Sequence, residues 1–118
     1  MALNLTEAIT SPVTTSNGDV SSMRAGIATI GGAVILVPIS GGNGAILPAS
    51  GGTGFTVLVN GVPPTVDSVV GSTALVTITL HTAIAPGDPV TLAYAPGNIT
   101  DVEARTLDSF FQTLDNPL

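Results

Sequence analysis

His81 is the only histidine in this 118-residue chain, and the chain has no cysteine. The preceding run, 74–80, alternates apolar residues with threonines, so His81 falls on the outward side of a strand. A catalytic histidine needs a nucleophile beside it, and no serine of the chain stands in a nucleophile-elbow motif. We therefore predict that His81 is an exposed strand residue, assign no catalytic residue and expect no enzyme activity.

Oxygen-bearing side chains cluster between residues 98 and 108, at Asn98, Asp101, Glu103 and Asp108. Calcium takes about six to eight oxygen ligands, which makes this stretch a possible calcium site. Its spacing is not that of an EF-hand loop, and Asn and Asp are ordinary turn residues. We favour the turn interpretation, keep calcium as the alternative, and predict neither a metal nor a cofactor.

Two glycine-rich loops, residues 41–44 and 51–54, are the remaining motifs that resemble a binding site. A phosphate-binding loop needs a lysine and leads into a helix. The chain contains no lysine, and both loops are followed by residues with strand character. We predict that the two loops connect strands and bind no phosphate.

The net charge of −6 limits the kinds of molecule that this chain is expected to bind. Affinity for phosphate backbones comes mainly from Lys and Arg, and this chain has only Arg24 and Arg105. We therefore expect neither nucleic acid nor an anionic membrane surface as a partner. The N-terminus lacks the basic and apolar regions of a signal peptide, so we expect synthesis in the cytoplasm without export through a signal peptide.

The elements that hold these residues have the pattern of short strands. Apolar and polar residues alternate in residues 55–59, 74–80 and 90–94, and turn residues such as Asn60-Gly61 separate the runs. This pattern predicts an all-β, immunoglobulin-like antiparallel β-sandwich of seven or eight short strands with an N-terminal extended arm. The predicted core consists of Ile35, Val37, Phe55, Val57, Val59, Val76, Ile78, Leu80, Val90, Leu92, Tyr94 and Phe110.

The N-terminal region differs from the rest because residues 10–18 are polar and β-branched, contain Pro12 and show no amphipathic period. We predict an arm at residues 1–25 and a sandwich domain at residues 26–118. We expect the arm to attach the protein by adding a strand to the edge of a partner's sheet. The alternative is an ordinary first strand at the edge of the sandwich.

From about residue 33 to residue 112 the chain resembles the SwmB-type repeat, a bacterial immunoglobulin-like module. The resemblance is carried by residues 47–51, 54–57, 59–61, 76–80, 85–88, 90–94 and 96–101. It implies a spacer or binding module rather than an enzyme. The stretch 102–105 departs from the family's Gly-Asn turn, and a short helical turn is an alternative there. As a single module it resembles the immunoglobulin-like domains that bacteriophage virions carry.

These observations lead to two functional hypotheses. The first is a structural virion protein, a phage capsid decoration or cement protein that binds the major capsid protein or another virion protein and forms a homo-oligomer. The second is a cell-surface adhesion module that binds a carbohydrate or receptor. The chain has no Trp and one Tyr, which disfavours a sugar platform and places the virion hypothesis first.

Overall fold

The computed structural model of the chain describes residues 22–117, and within this range it contains nine strands and no helix. The strands are β1 (Ser22–Ala25), β2 (Thr29–Gly31), β3 (Val34–Ser40), β4 (Phe55–Val59), β5 (Val66–Ser72), β6 (Leu75–Leu80), β7 (Val90–Tyr94), β8 (Thr106–Leu107) and β9 (Phe110–Leu114).

The strands form two sheets. The larger sheet has six strands in the order β5-β6-β3-β1-β8, with β2 also paired to β3, and the smaller has three in the order β9-β7-β4. All pairs are antiparallel except β1 with β8. The predicted all-β sandwich is confirmed. The count exceeds seven or eight because β1 and β8, which were not predicted as strands, have only four and two residues and show no alternation of their own.

The alternation of residue types decides which side of each strand faces the core. In β6 and β7 every second side chain is buried and the intervening ones are partly exposed. Strand β3 lies inside the larger sheet and pairs with β1, β2 and β6. Only every second side chain of β3 is buried, so its nearly continuous apolar sequence leaves Leu36 37% exposed on the outer face. Threonines of β6 and β7 therefore lie on the outside of the sheets, and branched apolar residues fill the space between the sheets.

The predicted core residues face inward. All twelve are buried except Phe55, Val59 and Phe110, which pack against the core partly buried. The rings of Phe55 and Tyr94 lie 4.8 Å apart, a favourable tilted contact. The core also contains residues that the sequence did not point to, most of them in short strands or loops: Met23, Ala28, Ile39, Ile46, Ile84, Ile99, Leu107 and Leu114.

The predicted arm overlaps the sandwich. Residues 22–25, assigned to the arm, form β1, and Met23 is fully buried between neighbouring strands. The boundary predicted at residue 25 is therefore too late, because an isolated four-residue strand gives no clear alternation in the sequence. The remainder of the predicted arm, residues 1–21, lies outside the described residues.

Two turns can be compared with the conformations expected from their residue types. Asn60 and Gly61 both have positive φ, 55° and 76°, as the Asn-Gly pair predicts for a tight hairpin turn. At 101–105 there is no helical turn. Ala104 has a φ of 66°, its N–H donates to the Asp101 carbonyl, and the Asp101 N–H donates to the Arg105 carbonyl, so the chain reverses as a hairpin.

The chain enters and leaves the described sandwich at opposite ends. At the entry end, Ser22 Oγ donates to Asp108 Oδ2 over 3.2 Å, just before β9 begins. At the exit end, Leu114 pairs with Val90. There Asn116 Nδ2 donates to the carbonyls of Ala85 and Asp88 at 3.0 and 2.9 Å. Ser22 and Asn116 therefore lie at opposite ends of the described sandwich.

Candidate functional site

The most connected polar group of the described chain is the Asp101 carboxylate at the entry end, which is 1% exposed. Oδ1 accepts from the backbone N–H groups of Glu103 and Arg105, both at 2.9 Å. Oδ2 accepts from the Asn43 N–H at 2.8 Å and from Arg105 Nη1 at 2.9 Å. A buried charge needs such partners, and this one has an opposite charge and three backbone donors.

The loop before β4 and the 101–105 turn hold this carboxylate between them. Asn43 Nδ2 donates to Glu103 Oε2 at 2.7 Å, and Arg105 Nη1 lies 2.8 Å from Glu103 Oε1. A Cβ at position 42 would lie 2.6 Å from Met23 Sδ and 3.5 Å from the Asp101 Cβ, so a larger residue there would displace the buried Met23 side chain. The first glycine-rich loop thus covers a buried charge and the entry strand.

The surroundings of Asp101 change the pKa of its carboxyl group. Burial alone raises the pKa of a carboxyl group. Hydrogen bonds from the Arg105 side chain and from the backbone of Arg105, Asn43 and Glu103 outweigh burial, and together they lower the pKa of Asp101 from 3.8 to about 2. The folded state therefore binds a proton at Asp101 less readily than the unfolded state does.

We expect this difference to appear as acid sensitivity. Because the folded-state pKa is lowered, Asp101 stabilises the fold above pH 3.8, and the contribution is lost as the pH falls toward about 2. Asp101→Asn should be less stable than the wild type at neutral pH, and the difference should shrink over that range. Denaturant melts between pH 7 and pH 2 measure it. The exposed Asp67→Asn is the control, and a constant gap for Asp101→Asn would contradict the assignment.

The structure does not bring the predicted acidic stretch together as one cluster. Asn98 contacts the second glycine-rich loop, where Oδ1 accepts from the Thr53 N–H at 2.7 Å. Asp108 contacts Ser22, and both oxygens of Asp101 are occupied by donors. Among residues 22–117 no group of three or more His, Cys, Asp or Glu side chains is arranged to hold a metal ion. The contacts seen here are those of turn residues.

His81 lies just after β6, with its side chain 72% exposed. Its Nδ1 is 3.3 Å from Asp67 Oδ1, and the Asp67 side chain is 48% exposed. Both groups remain largely solvated, so this contact contributes little to the stability of the fold. The pair marks the surface of the larger sheet.

Sequence reasoning missed Arg105 and Asn43 as partners of Asp101. Arg105 is one of only two Lys or Arg residues and lies four positions after Asp101, and this proximity could have indicated a contact between the two. That spacing suggests a contact on a helix, whereas here a hairpin turn brings the two together. Asn43 lies 58 residues away, and no local pattern links it to Asp101.

The outer face of the smaller sheet carries only uncharged side chains. It consists of the outward residues of β4, β7 and β9, namely Thr56, Leu58, Thr91, Ala93, Phe111 and Thr113. Phe111 is 68% exposed, although Phe is normally a core residue. No charged side chain belongs to this face. Covering a surface that is uncharged and partly apolar with a neighbouring molecule costs little desolvation free energy.

An apolar pocket lies at the exit end, between Val59, Pro64, Leu80 and Ile84. Its volume is about 250 Å³. Sites for drug-sized ligands usually measure about 300–1,000 Å³ and include convergent polar groups. The pocket is a gap beneath the loop before β7 and offers little to orient a ligand.

Comparison with known proteins yields the fold alone. No protein-family model and no curated protein sequence matches this chain. Three solved structures match at 14% identity, all of the S-layer protein SbsC. For rSbsC(31-844) the TM-score is 0.64, with 81% of this chain and 14% of that chain covered. For the N-terminal part of the bacterial protein the TM-score is 0.65, with 81% and 24% covered.

The chain thus spans about a quarter or less of the length of the structures that it matches. The likeness supports a β-sandwich of the kind found in a surface-layer protein. Within residues 22–117, no helix has the length and apolar character needed to cross a bilayer.

Proposed function

We propose that this chain is a non-enzymatic structural module of a protein coat, specifically a decoration or cement protein of a bacteriophage capsid. The observation that carries the proposal is the uncharged outer face of the smaller sheet, with Phe111 exposed, on a chain whose net charge is −6. Charged residues are depleted at the centres of interfaces because desolvating them is costly. This face is suited to packing against a neighbouring protein.

The fold supports the same class of function. The similar structures belong to a surface-layer protein, so this kind of sandwich occurs in proteins that form a layer. The polar contacts of Asp101, Arg105 and Asn43 are satisfied within the domain and hold its loops together. Such a module leaves its outer faces available for contact with other molecules.

In the specific form of the proposal, the module binds the major capsid protein or another virion protein and covers the capsid surface in many copies. Many weak contacts on a symmetric shell give high total avidity without a large interface for each copy. The resemblance to SwmB-type repeats supports a spacer or binding module. The low content of Lys and Arg argues against contact with the packaged nucleic acid.

A second candidate function rests on Phe111 itself. A flat aromatic ring exposed among Thr91, Thr113 and Ala93 could stack on the apolar face of a sugar while the threonine hydroxyls bind its hydroxyl groups. This is the adhesion alternative, in which the same face binds a carbohydrate or receptor at a cell surface.

One fractionation experiment separates the two functions. Antibodies raised against the purified protein are used to probe purified virions and cell envelopes from a culture that expresses the chain, with the major capsid protein as the loading control. The proposal expects the protein in the virion fraction, with the antibodies bound to the outside of capsids in electron micrographs. Signal confined to the envelope fraction, together with glycan-array binding that Phe111→Ala abolishes, would establish the adhesion function instead.

A further inference from the structure

Strand β9 leaves one edge of the smaller sheet open. It is the last strand of that sheet, and within residues 22–117 no backbone group bonds to its outer side. The bonding of the middle strand shows which groups are free. Asn60 donates to the Pro89 carbonyl, so odd-numbered residues of β7 bond to β4. The even-numbered residues of β7 bond to β9, which leaves the N–H and C=O groups of Phe111 and Thr113 directed away from the sheet.

An exposed isoleucine lies beside the middle of this edge. Gln112, the central residue of β9, accepts at Oε1 from the Ala28 N–H at 2.9 Å and donates from Nε2 to the Gly26 carbonyl at 2.6 Å. Ile27 stands between these two loop residues and is 82% exposed. An exposed apolar side chain next to free strand groups is a combination that natural proteins normally cover.

The other long edges of the described sheets are less available. The loop before β4 covers the edge of β5, where the Gly52 N–H donates to the Val69 carbonyl at 3.1 Å. On β4, Val59 is already paired with Val62 through two bonds of 2.9 and 3.0 Å. The edge of β9 is therefore the longest one that residues 22–117 leave uncovered.

We infer that this edge pairs with the same edge of a second copy, in a two-fold symmetric dimer whose β9 strands run antiparallel. The free groups belong to Phe111 and Thr113, which stand on either side of Gln112. The register that overlaps the whole of β9 therefore places Phe111 of one copy opposite Thr113 of the other. Both such pairs exchange N–H···O bonds in each direction, and the two three-stranded sheets become one continuous sheet.

The charges along the edge permit this self-pairing. Strand β9 itself contains no charged side chain. In the same register Asp108 of one copy lies opposite Asn116 of the other, and Asp115 lies opposite Ser109. No acid directly faces an acid, although like charges opposite each other would destabilise such a ladder. Two-fold dimers of this self-complementary kind are the commonest assemblies of soluble proteins.

The position of the two-fold axis accounts for the exposed isoleucine. The axis passes between the Gln112 residues of the two copies, and each Gln112 holds the loop that carries Ile27. The two Ile27 side chains therefore approach each other beside the axis and cover one another. Gln112 and Phe111 point to opposite sides of the strand, so this contact lies away from the outer face. Pairing side by side leaves that outer face, with its Phe111 rings, exposed and doubles its extent.

The inference goes beyond the proposed coat function, because it concerns contact between two copies through an edge and not contact with a coat through the outer face. A chain that stays monomeric in solution and is still found on capsids would overturn the inference alone. The contact of one short strand and one isoleucine per copy is small, so we expect a weak dimer with a Kd of roughly 10–100 μM. Each copy carries a net charge of −6, and added salt should therefore lower the Kd by screening the repulsion.

Sedimentation equilibrium of the purified full-length chain measures the association. Ile27→Asp should raise the Kd by about tenfold or more, because it brings two carboxylates together beside the axis. Val62→Asp adds the same charge at another exposed apolar residue, in the turn after β4, and should leave the Kd unchanged. Thermal melts check that both variants remain folded. A monomer at concentrations well above the expected Kd, or equal effects of the two variants, would overturn the inference.

Amide hydrogen exchange distinguishes a second copy from a strand of the same molecule. The amides of Phe111 and Thr113 should become protected as the protein concentration rises through the Kd. The amides of Phe55 and Val57, on the open part of the β4 edge, should exchange at a constant rate. Protection of Phe111 and Thr113 that does not depend on concentration would assign the edge to the same chain and overturn the dimer.

Engineered cysteines test the register. The chain has no cysteine, so each single variant carries one thiol. We expect a disulfide when chains with Phe111→Cys are mixed with chains with Thr113→Cys, since directly paired strand positions satisfy disulfide geometry. Either variant alone should crosslink much less, because its two thiols are then diagonal across the ladder. Crosslinking that is as efficient in a single variant as in the mixture would overturn the proposed pairing.

Discussion

Leu92→Ala should destabilise the domain by about 2–5 kcal/mol, the usual range for truncating a buried leucine. Leu92 is fully buried in β7, the middle strand of the smaller sheet, between Val57 on β4 and Gln112 on β9. Removing its side chain leaves a cavity in the layer where the two sheets meet. Equilibrium denaturant unfolding measures the change in the free energy of unfolding.

Leu58→Ala is the matched control for Leu92→Ala. Leu58 lies on β4 with its side chain on the outer face of the same sheet, partly exposed and next to Thr91. Its truncation should cost about 1 kcal/mol or less. Equal losses for the two variants would show that the inner and outer faces of the smaller sheet are assigned wrongly.

Gly71→Ala should also destabilise the domain strongly, although it adds only one methyl group. A Cβ at position 71 in β5 would lie 2.1 Å from the Ile46 carbonyl oxygen and 2.8 Å from that of Pro48. These are backbone atoms, which cannot move aside as a flexible side chain can. Because the loop that covers β5 would have to detach, we expect a loss at or above the ~1–3 kcal/mol usual for overpacking.

Gly31→Ala provides the control for Gly71→Ala. Gly31 also lies in a strand, but a Cβ there has no neighbour within 4 Å. Alanine is favoured over glycine in strands by roughly 0.5–1 kcal/mol, so this variant should melt at or slightly above the wild-type temperature. Thermal unfolding of both variants and of the wild type measures the difference in melting temperature. A wild-type melting temperature for Gly71→Ala would mean that the loop does not lie against β5.

The parts of the fold that could be predicted from sequence are those where local pattern and burial agree. Strand β6 alternates apolar residues and threonines, and its inward residues Val76, Ile78 and Leu80 are buried. Asn60-Gly61 predicted a turn because both residues tolerate positive φ. At such positions the chemistry of each residue determines its conformation with little help from distant parts of the chain.

The parts that could not be predicted depend on distant partners. Strand β8 has two residues and exists because Leu107 pairs with Met23, 84 positions earlier. Met23 is buried because of the same pairing, and its local sequence does not distinguish it from the predicted arm. The Asp101 site has the same origin, since Asn43 reaches it only after the sandwich has formed. Short strands and buried charges depend on tertiary contacts, which a local pattern does not encode.

Ala104 illustrates a conformation imposed by its surroundings. Its φ of 66° favours glycine, and no residue pattern around position 104 predicts a positive φ there. Asp101 accepts from the N–H groups of Glu103 and Arg105 on either side of Ala104, which holds the turn in that conformation. The helical turn considered for this stretch would not bring both N–H groups to the same carboxylate oxygen.

If this chain is the proposed repeated structural part of a virion coat, purified particles should contain it at a defined copy number. Quantitative mass spectrometry with isotope-labelled peptides gives the molar ratio of this chain to the major capsid protein. We expect a fixed ratio, of the same order as the number of capsid subunits or capsomers, that survives washing in moderate salt because the contact face is uncharged. A trace amount that varies between preparations, with the bulk of the chain in another cell fraction, would contradict it.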